Sequence, residues 1–178
     1  MRRGASGARR GFTLLELVVV ICVIGLLVTF AGQRLLALRV EAERAALGQV
    51  LGGLRAAVSV EMLSLVARGR DAELAELAGS NPMALLLEPP WSYLGELDGP
   101  DPAAVPPGRW YFDRSSGLLV YRVRYPDRFV SELADPPRAA FRVELVWDDR
   151  NRNGRYEPGV DGAGGARLRP VADYRWRS

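Results

Sequence analysis

From Phe12 to Ala31 the chain runs through 20 residues broken only by Thr13, Glu16, Gly25 and Thr29. As a helix, such a run spans roughly 30 Å, about the hydrocarbon thickness of a bilayer. A helix that is apolar on every side needs either a large core or lipid around it, and this chain has only 178 residues. The run therefore predicts a membrane-spanning helix over residues 12–31. Arg2, Arg3, Arg9 and Arg10 crowd its N-terminal side, so the positive-inside rule keeps that end cytoplasmic and sends the C-terminal body across the membrane. Glu16 is the anomaly. A carboxylate at the bilayer centre costs roughly 2.5–3.5 kcal/mol on insertion scales, less near an end, and such residues usually mark function. One plain explanation is that Glu16 sits shallow and snorkels to the headgroups. Another is an ordinary secretory signal, since "TFA" before Gly32 fits a small-x-small cleavage site. The second leaves the carboxylate unexplained.

The 24 basic residues are all arginine, and 21 acidic residues oppose them. With four arginines in the leader, the remainder carries 20 against 21. A body so close to neutral has no bulk electrostatic reason to bind phosphate, and no nucleic-acid partner is expected. Histidine is absent and cysteine occurs once, as Cys22 inside the apolar run. That removes Ser-His and Cys-His nucleophiles, imidazole metal sites and intrachain disulfides. Paired carboxylates alone still permit glycoside hydrolysis, which requires a built cleft. The composition points away from an enzyme.

Leu36, Val40, Leu47, Leu51, Leu54, Val58, Met62 and Leu65 recur at helical spacing on one face, with Glu43, Arg44, Gln49, Arg55 and Glu61 placed elsewhere. The spacing predicts one nearly continuous helix from residue 12 to 68, whose amphipathic half covers 32–68. Proline and glycine then mark a loop-rich connector over 69–108, in which "MALLLE" reads as a short helical turn. Strand signals follow at 109–113, at Leu119, Tyr121, Val123 and Tyr125, at Phe141, Val143, Leu145 and Trp147, and over 167–176. The expected fold is α+β. A long N-terminal helix packs its amphipathic half on an antiparallel meander of about four strands within residues 109–178.

"RRGFTLLELVVVICVIGLL" resembles the type III leader of type IV pilins and type II secretion pseudopilins: a basic leader, residues 1–11, that ends in glycine, then Phe12, then Glu16 and an apolar run. Gly11, Phe12, Thr13, Leu14, Leu15 and Glu16 fall in that order. The resemblance implies that an aspartyl prepilin peptidase cleaves after Gly11 and methylates the new amine on Phe12. The apolar helix then stays as an anchor in the inner membrane, with the C-terminal domain in the periplasm. It further implies assembly with other pilins or pseudopilins into a helical filament, driven by an inner-membrane assembly platform. In such a filament Glu16 pairs with the Phe12 amine of a neighbour. "LAGSNPMALLLEPPWSYLGEL" and "PGRWYFDRSSGLLVYRVRY" also resemble stretches of this superfamily, although the second is simply a good hairpin. Two other readings stay open: a minor type IV pilin concerned with adhesion, twitching or DNA uptake, and a membrane-tethered periplasmic binding module.

Within "DDRNRNGRYEPGVD", Asp149, Asn151 and Asn153 alternate before Gly154, the oxygen spacing that opens an EF-hand-like calcium loop. Glu157 lies near the ninth position, but the twelfth is Val160, with Asp161 one further on. Two asparagines lower the charge and set calcium affinity in the range of about 10⁻⁴–10⁻³ M. The alternative is an Asn-Gly turn joining two strands. Major pseudopilins are calcium-binding in this region, whereas many type IV pilins close it with a disulfide. One cysteine cannot form that bridge, which favours the pseudopilin or a minor pilin-like subunit. Cys22 reads as a small apolar helix residue. Trp110, Tyr111, Phe112, Tyr121 and Tyr125 read as sheet core and surface.

Overall fold

The computed structural model describes residues 12–177. Gly11 and the leader arginines lie outside the described residues, as does the side chain of Leu36. The first helix, α1, spans Leu14–Ala67. The chain divides into two compact units, one ending at Glu41 and the other beginning at Ala42.

In the first unit every described side chain from Phe12 to Arg39 is exposed. Thr13 caps the helix, its Oγ1 accepting the Glu16 N–H at 3.2 Å. Thr13 and Glu16 thus stand three residues apart in the pattern of a capping box, with a carboxylate in the first turn, where the helix dipole favours it. Leu14–Gly32 is long and apolar enough to cross a membrane, and none of it is buried.

In the second unit α1 buries Glu43, Leu47, Leu51, Leu54, Val58 and Leu65 and half-buries Met62. Intervals of three and four residues keep this stripe on one side of a 3.6-residue helix. Leu38–Ala67 is also apolar enough to span a bilayer, but this stripe commits one side of it to the protein core. Gly69 ends the helix with φ +67°. The Arg70 N–H bonds the Leu65 carbonyl and the Gly69 N–H that of Val66, a Schellman arrangement in which a side chain at 69 would be strained. A 3-10 turn at Asp71–Glu73 leads into the short α2, Leu74–Leu77. Another 3-10 turn, Pro82–Leu85, takes in only the first half of the "MALLLE" stretch.

Seven strands follow: β1 Tyr93–Leu97, β2 Trp110–Asp113, β3 Leu118–Arg122, β4 Phe129–Ser131, β5 Arg138–Asp148, β6 Gly162–Pro170 and β7 Tyr174–Trp176. The main sheet has the order β1-β2-β3-β5-β6. The run β2-β3-β5-β6 is antiparallel throughout, as expected of the meander. Trp110, Phe112, Leu119, Tyr121, Phe141, Val143, Leu145 and Leu168 share one core with the α1 stripe. On the other face Val105 of the connector closes a smaller cluster over Tyr111, Val120 and Ala140.

The structure departs from the sequence reading in four places. β1 lies inside the segment read as loop and runs parallel to β2. A parallel pair needs a crossover, and residues 98–109 supply it, Val105 among them. The segment 167–176 is not one strand, since β6 stops at Pro170 and β7 pairs with β4 in a separate two-stranded sheet. β3 ends at Arg122, short of Tyr125. Glu43, read as lying off the apolar face, is 8% exposed and sits on it.

Candidate anchoring and assembly site

Phe12, just before α1, and Glu16 in its first turn are both exposed, Phe12 at 67%. No hydrogen bond to the Glu16 carboxylate is made among the described residues; only its backbone N–H is engaged, by Thr13. The fold thus leaves the charge available to a group outside the monomer. Cys22 is a free, exposed thiol within the same apolar surface.

Glu43 marks where α1 becomes part of the second unit, two residues past the boundary. Its Oε1 accepts the Tyr121 hydroxyl at 2.8 Å and the Arg124 N–H at 2.6 Å, and its Oε2 accepts the Tyr125 N–H at 3.2 Å. A buried carboxylate is tolerable only when hydrogen-bonded in this way. The contact ties α1 to the end of β3. Burial, reinforced by the hydrogen bond and charge of Glu43, pushes the Tyr121 hydroxyl well above its ordinary pKa. The sequence does carry a signal for this tie: Glu43 stands four residues before Leu47, in line with the apolar stripe.

The loop over residues 149–161 joins β5 to β6. It is not a two-residue Asn-Gly hairpin. Gly154 has φ +73° and Arg152 φ +58°, but Asn153 lacks the positive φ that a type I′ turn requires at both centres. Side-chain oxygens fold back onto the loop's own amides. Asp149 accepts the N–H groups of Asn153 and Gly154 at 3.1 and 2.8 Å, Asn151 also accepts that of Asn153, and Asn153 accepts that of Arg155. Asn151 Nδ2 donates to Glu157 Oε2 at 2.5 Å, which brings those two side chains together. The buried Asp161 closes the loop, accepting from the backbone of Arg150 and Glu157. Among the described residues no three His, Cys, Asp or Glu side chains gather as a metal group. The donor set at the loop is two carboxylates, Asp149 and Glu157, and two amides. The oxygens of Asp149, Asn151 and Asn153 are engaged by the loop's own backbone N–H groups.

An exposed apolar helix capped by Thr13 and continued into a sheet-packed unit has the α+β layout of a pilin-like subunit. Residues 7–32 match the family described as the prokaryotic N-terminal methylation motif. This is the prepilin-type cleavage and methylation signature of type IV pilins and pseudopilins. The signature implies processing by prepilin peptidase and assembly with other pilins, and with the apolar helix it supports membrane anchoring. No curated protein and no solved structure matches the chain significantly.

Proposed function

We propose that this chain is a structural subunit of a type II secretion pseudopilus or a type IV pilus, with the pseudopilus favoured. The observation that carries the reading is the methylation-motif match over residues 7–32, laid on a helix whose side chains from Phe12 to Arg39 are exposed wherever described. Hydrolysis of the Gly11–Phe12 bond frees a cationic amine beside an apolar helix. The subunit waits in the inner membrane, N-terminus cytoplasmic and C-terminal unit periplasmic, until an assembly platform extracts it. In the filament Glu16 of one subunit meets the Phe12 amine of another. Two buried charges each cost several kcal/mol and are offset only when they meet. An undocked subunit is therefore penalised, and a docked one in register is relieved. The lone Cys22 leaves no intrachain disulfide to close the C-terminal region, which supports the pseudopilin branch over a major type IV pilin.

Mass spectrometry of the membrane-extracted protein tests the core of this reading. The mature chain should begin at methylated Phe12 and retain the apolar helix. A mature chain beginning at Gly32 would instead make residues 1–31 an ordinary secretory signal. We also propose calcium as a weak ligand of the 149–161 loop, through Asp149, Asn151, Asn153 and Glu157. Support comes from their alternate oxygens and from the Asn151–Glu157 contact.

A further inference from the structure

One end of the second unit can be located from strand register. Glu43 bonds Tyr121, Arg124 and Tyr125 at the C-terminal end of β3. Trp110 pairs with Tyr121 across β2–β3, and Tyr93 pairs with Trp110 across the parallel β1–β2. The starts of β1 and β2 therefore share the Glu43 end of the sheet. Trp91 and Arg109, which lead into those strands, lie there as well.

The loop before β1 turns apolar side chains outward. Leu87 is 99% exposed and Trp91 77%, and neither belongs to the core. The indole is nevertheless held in place. The Arg109 guanidinium lies 4.7 Å from its ring centroid, and Arg109 Nη1 donates to the Trp91 carbonyl at 3.2 Å. Pro89 and Pro90 restrict the backbone just before it. The fold thus fixes a large aromatic side chain without burying it, which suits a surface met from outside.

We propose that Leu87 and Trp91 seat in the headgroup–acyl boundary of the bilayer that holds α1, with the Arg109 guanidinium at the level of the lipid phosphates. Indole rings favour that boundary because one edge is apolar and the N–H is polar, and arginine beside them reaches phosphate. Chain length argues for lipid as the occupant. Gly32 ends the apolar span and Ala42 begins the second unit, ten residues later. Ten residues span at most about 36 Å whatever their conformation, so the second unit is within reach of the membrane at high effective concentration. The exposed Glu88 between Leu87 and Trp91 makes the loop a poor partner for anionic charge alone and leaves insertion of the ring as the contact. The proposal rests on residues 14–32 being membrane-embedded.

The test uses the full chain reconstituted in vesicles of phosphatidylethanolamine and phosphatidylglycerol, with either plain acyl chains or chains brominated near the carbonyl. Trp91→Phe isolates the Trp91 signal from Trp110, Trp147 and Trp176. The emission difference between wild type and Trp91→Phe should be present in plain vesicles and lost in brominated ones. Leu87→Asp, at a fully exposed position, should restore it by lifting the loop from the lipid. Equal Trp91 emission in both vesicles, from a chain that resists alkaline carbonate extraction, would overturn the proposal while sparing the anchor. Release by carbonate would overturn the anchor and the proposal together. Shielding of Trp91 from aqueous acrylamide that rises with protein concentration, without bromine quenching, would assign the loop to a second copy and also overturn it.

Discussion

The two parts of α1, residues 14–41 and 42–67, share one helical geometry and a similar richness in apolar residues, yet they satisfy that apolarity differently. The later part has a sheet of its own to cover Leu47, Leu51, Leu54 and Val58. The earlier part has nothing of its own, and every described side chain from Phe12 to Arg39 is exposed. Burial normally stabilises such side chains by about 1.5–3 kcal/mol each. In the first part nothing within its own unit supplies that stabilisation, and its surface is open to lipid or to other subunits. The two parts also use their acids differently. Glu43 finds three donors inside its own unit, whereas the Glu16 carboxylate finds none among the described residues.

The sharpest way to break this comparison is at Glu16. Glu16→Val removes an insertion penalty, so membrane levels should hold or rise, and processing after Gly11 should persist. Filament yield should collapse, because the incoming Phe12 amine is left buried and unpaired, a loss of about 3–5 kcal/mol. Glu16→Asp should fall between the two. Sheared filament and the membrane pool are measured side by side. Wild-type yield from the Val variant would mean that Glu16 merely snorkels.

Truncation of core side chains should separate the two parts next. Leu54→Ala opens a fully buried site and should destabilise the second unit by about 2–5 kcal/mol in denaturant unfolding of the detergent-solubilised protein. Ile24→Ala, a comparable truncation at an exposed position in the first part, should leave that transition in place. A similar loss from both would show that the parts unfold as one.

A smaller effect is expected at the Glu43 tie. Tyr121→Phe removes one of three donors to a carboxylate that keeps the other two, and should cost about 1 kcal/mol. It should also change the alkaline limb. A phenol with a higher pKa folded than unfolded holds its proton more tightly in the folded state, so its stabilisation is full below the unfolded value near 10 and is lost as pH rises above it. Tyr121→Phe should flatten the fall in stability above about pH 10 without abolishing it, because burial also raises Tyr93, Tyr111 and Tyr174. An unchanged alkaline limb would mean that Tyr121 does not report the Glu43 contact.

What was legible in the sequence had a strong period or a specific junction. The α1 stripe repeats over five turns, and Gly11-Phe12 with Glu16 stands at a basic-to-apolar boundary. The alternation of Leu119 and Tyr121, and of Phe141, Val143 and Leu145, placed the antiparallel centre of the sheet. The features missed lack a period. β1 is five residues with Gly95 at its centre, set among prolines, and its parallel pairing depends on where the connector returns. Glu43 lies in step with Leu47, but its charge argues against a core position in the sequence, and its donors come from residues 121–125, roughly 80 positions away. The Trp91–Arg109 stack likewise joins residues 18 apart through the β1–β2 register. At the 149–161 loop the alternating oxygens were readable, but the closing role of Asp161 was not, because its donors are backbone amides.

The smallest predicted effect concerns that loop, which neither part of α1 includes. Asp149 and Asp161 already hold it shut through backbone N–H groups, so a cation has little left to order. With a Kd of about 1 mM, calcium at the same concentration stabilises the folded state by only about 0.4 kcal/mol. For a unit of this size that is about 1–2 °C in Tm. Asp149→Ala removes a carboxylate and also frees the N–H groups of Asn153 and Gly154, so a lower starting Tm is expected whether or not metal binds. The informative quantity is therefore the calcium-dependent increment. It should be present in the wild-type chain, absent in Asp149→Ala and reduced in Glu157→Gln, which keeps the Asn151 contact within reach but loses the charge. Magnesium at equal concentration is the control, since a loop with few carboxylates does not strip its tightly held water. An increment that magnesium reproduces, or that survives Asp149→Ala, would place the cation elsewhere and leave residues 149–161 as a loop held by its own amides.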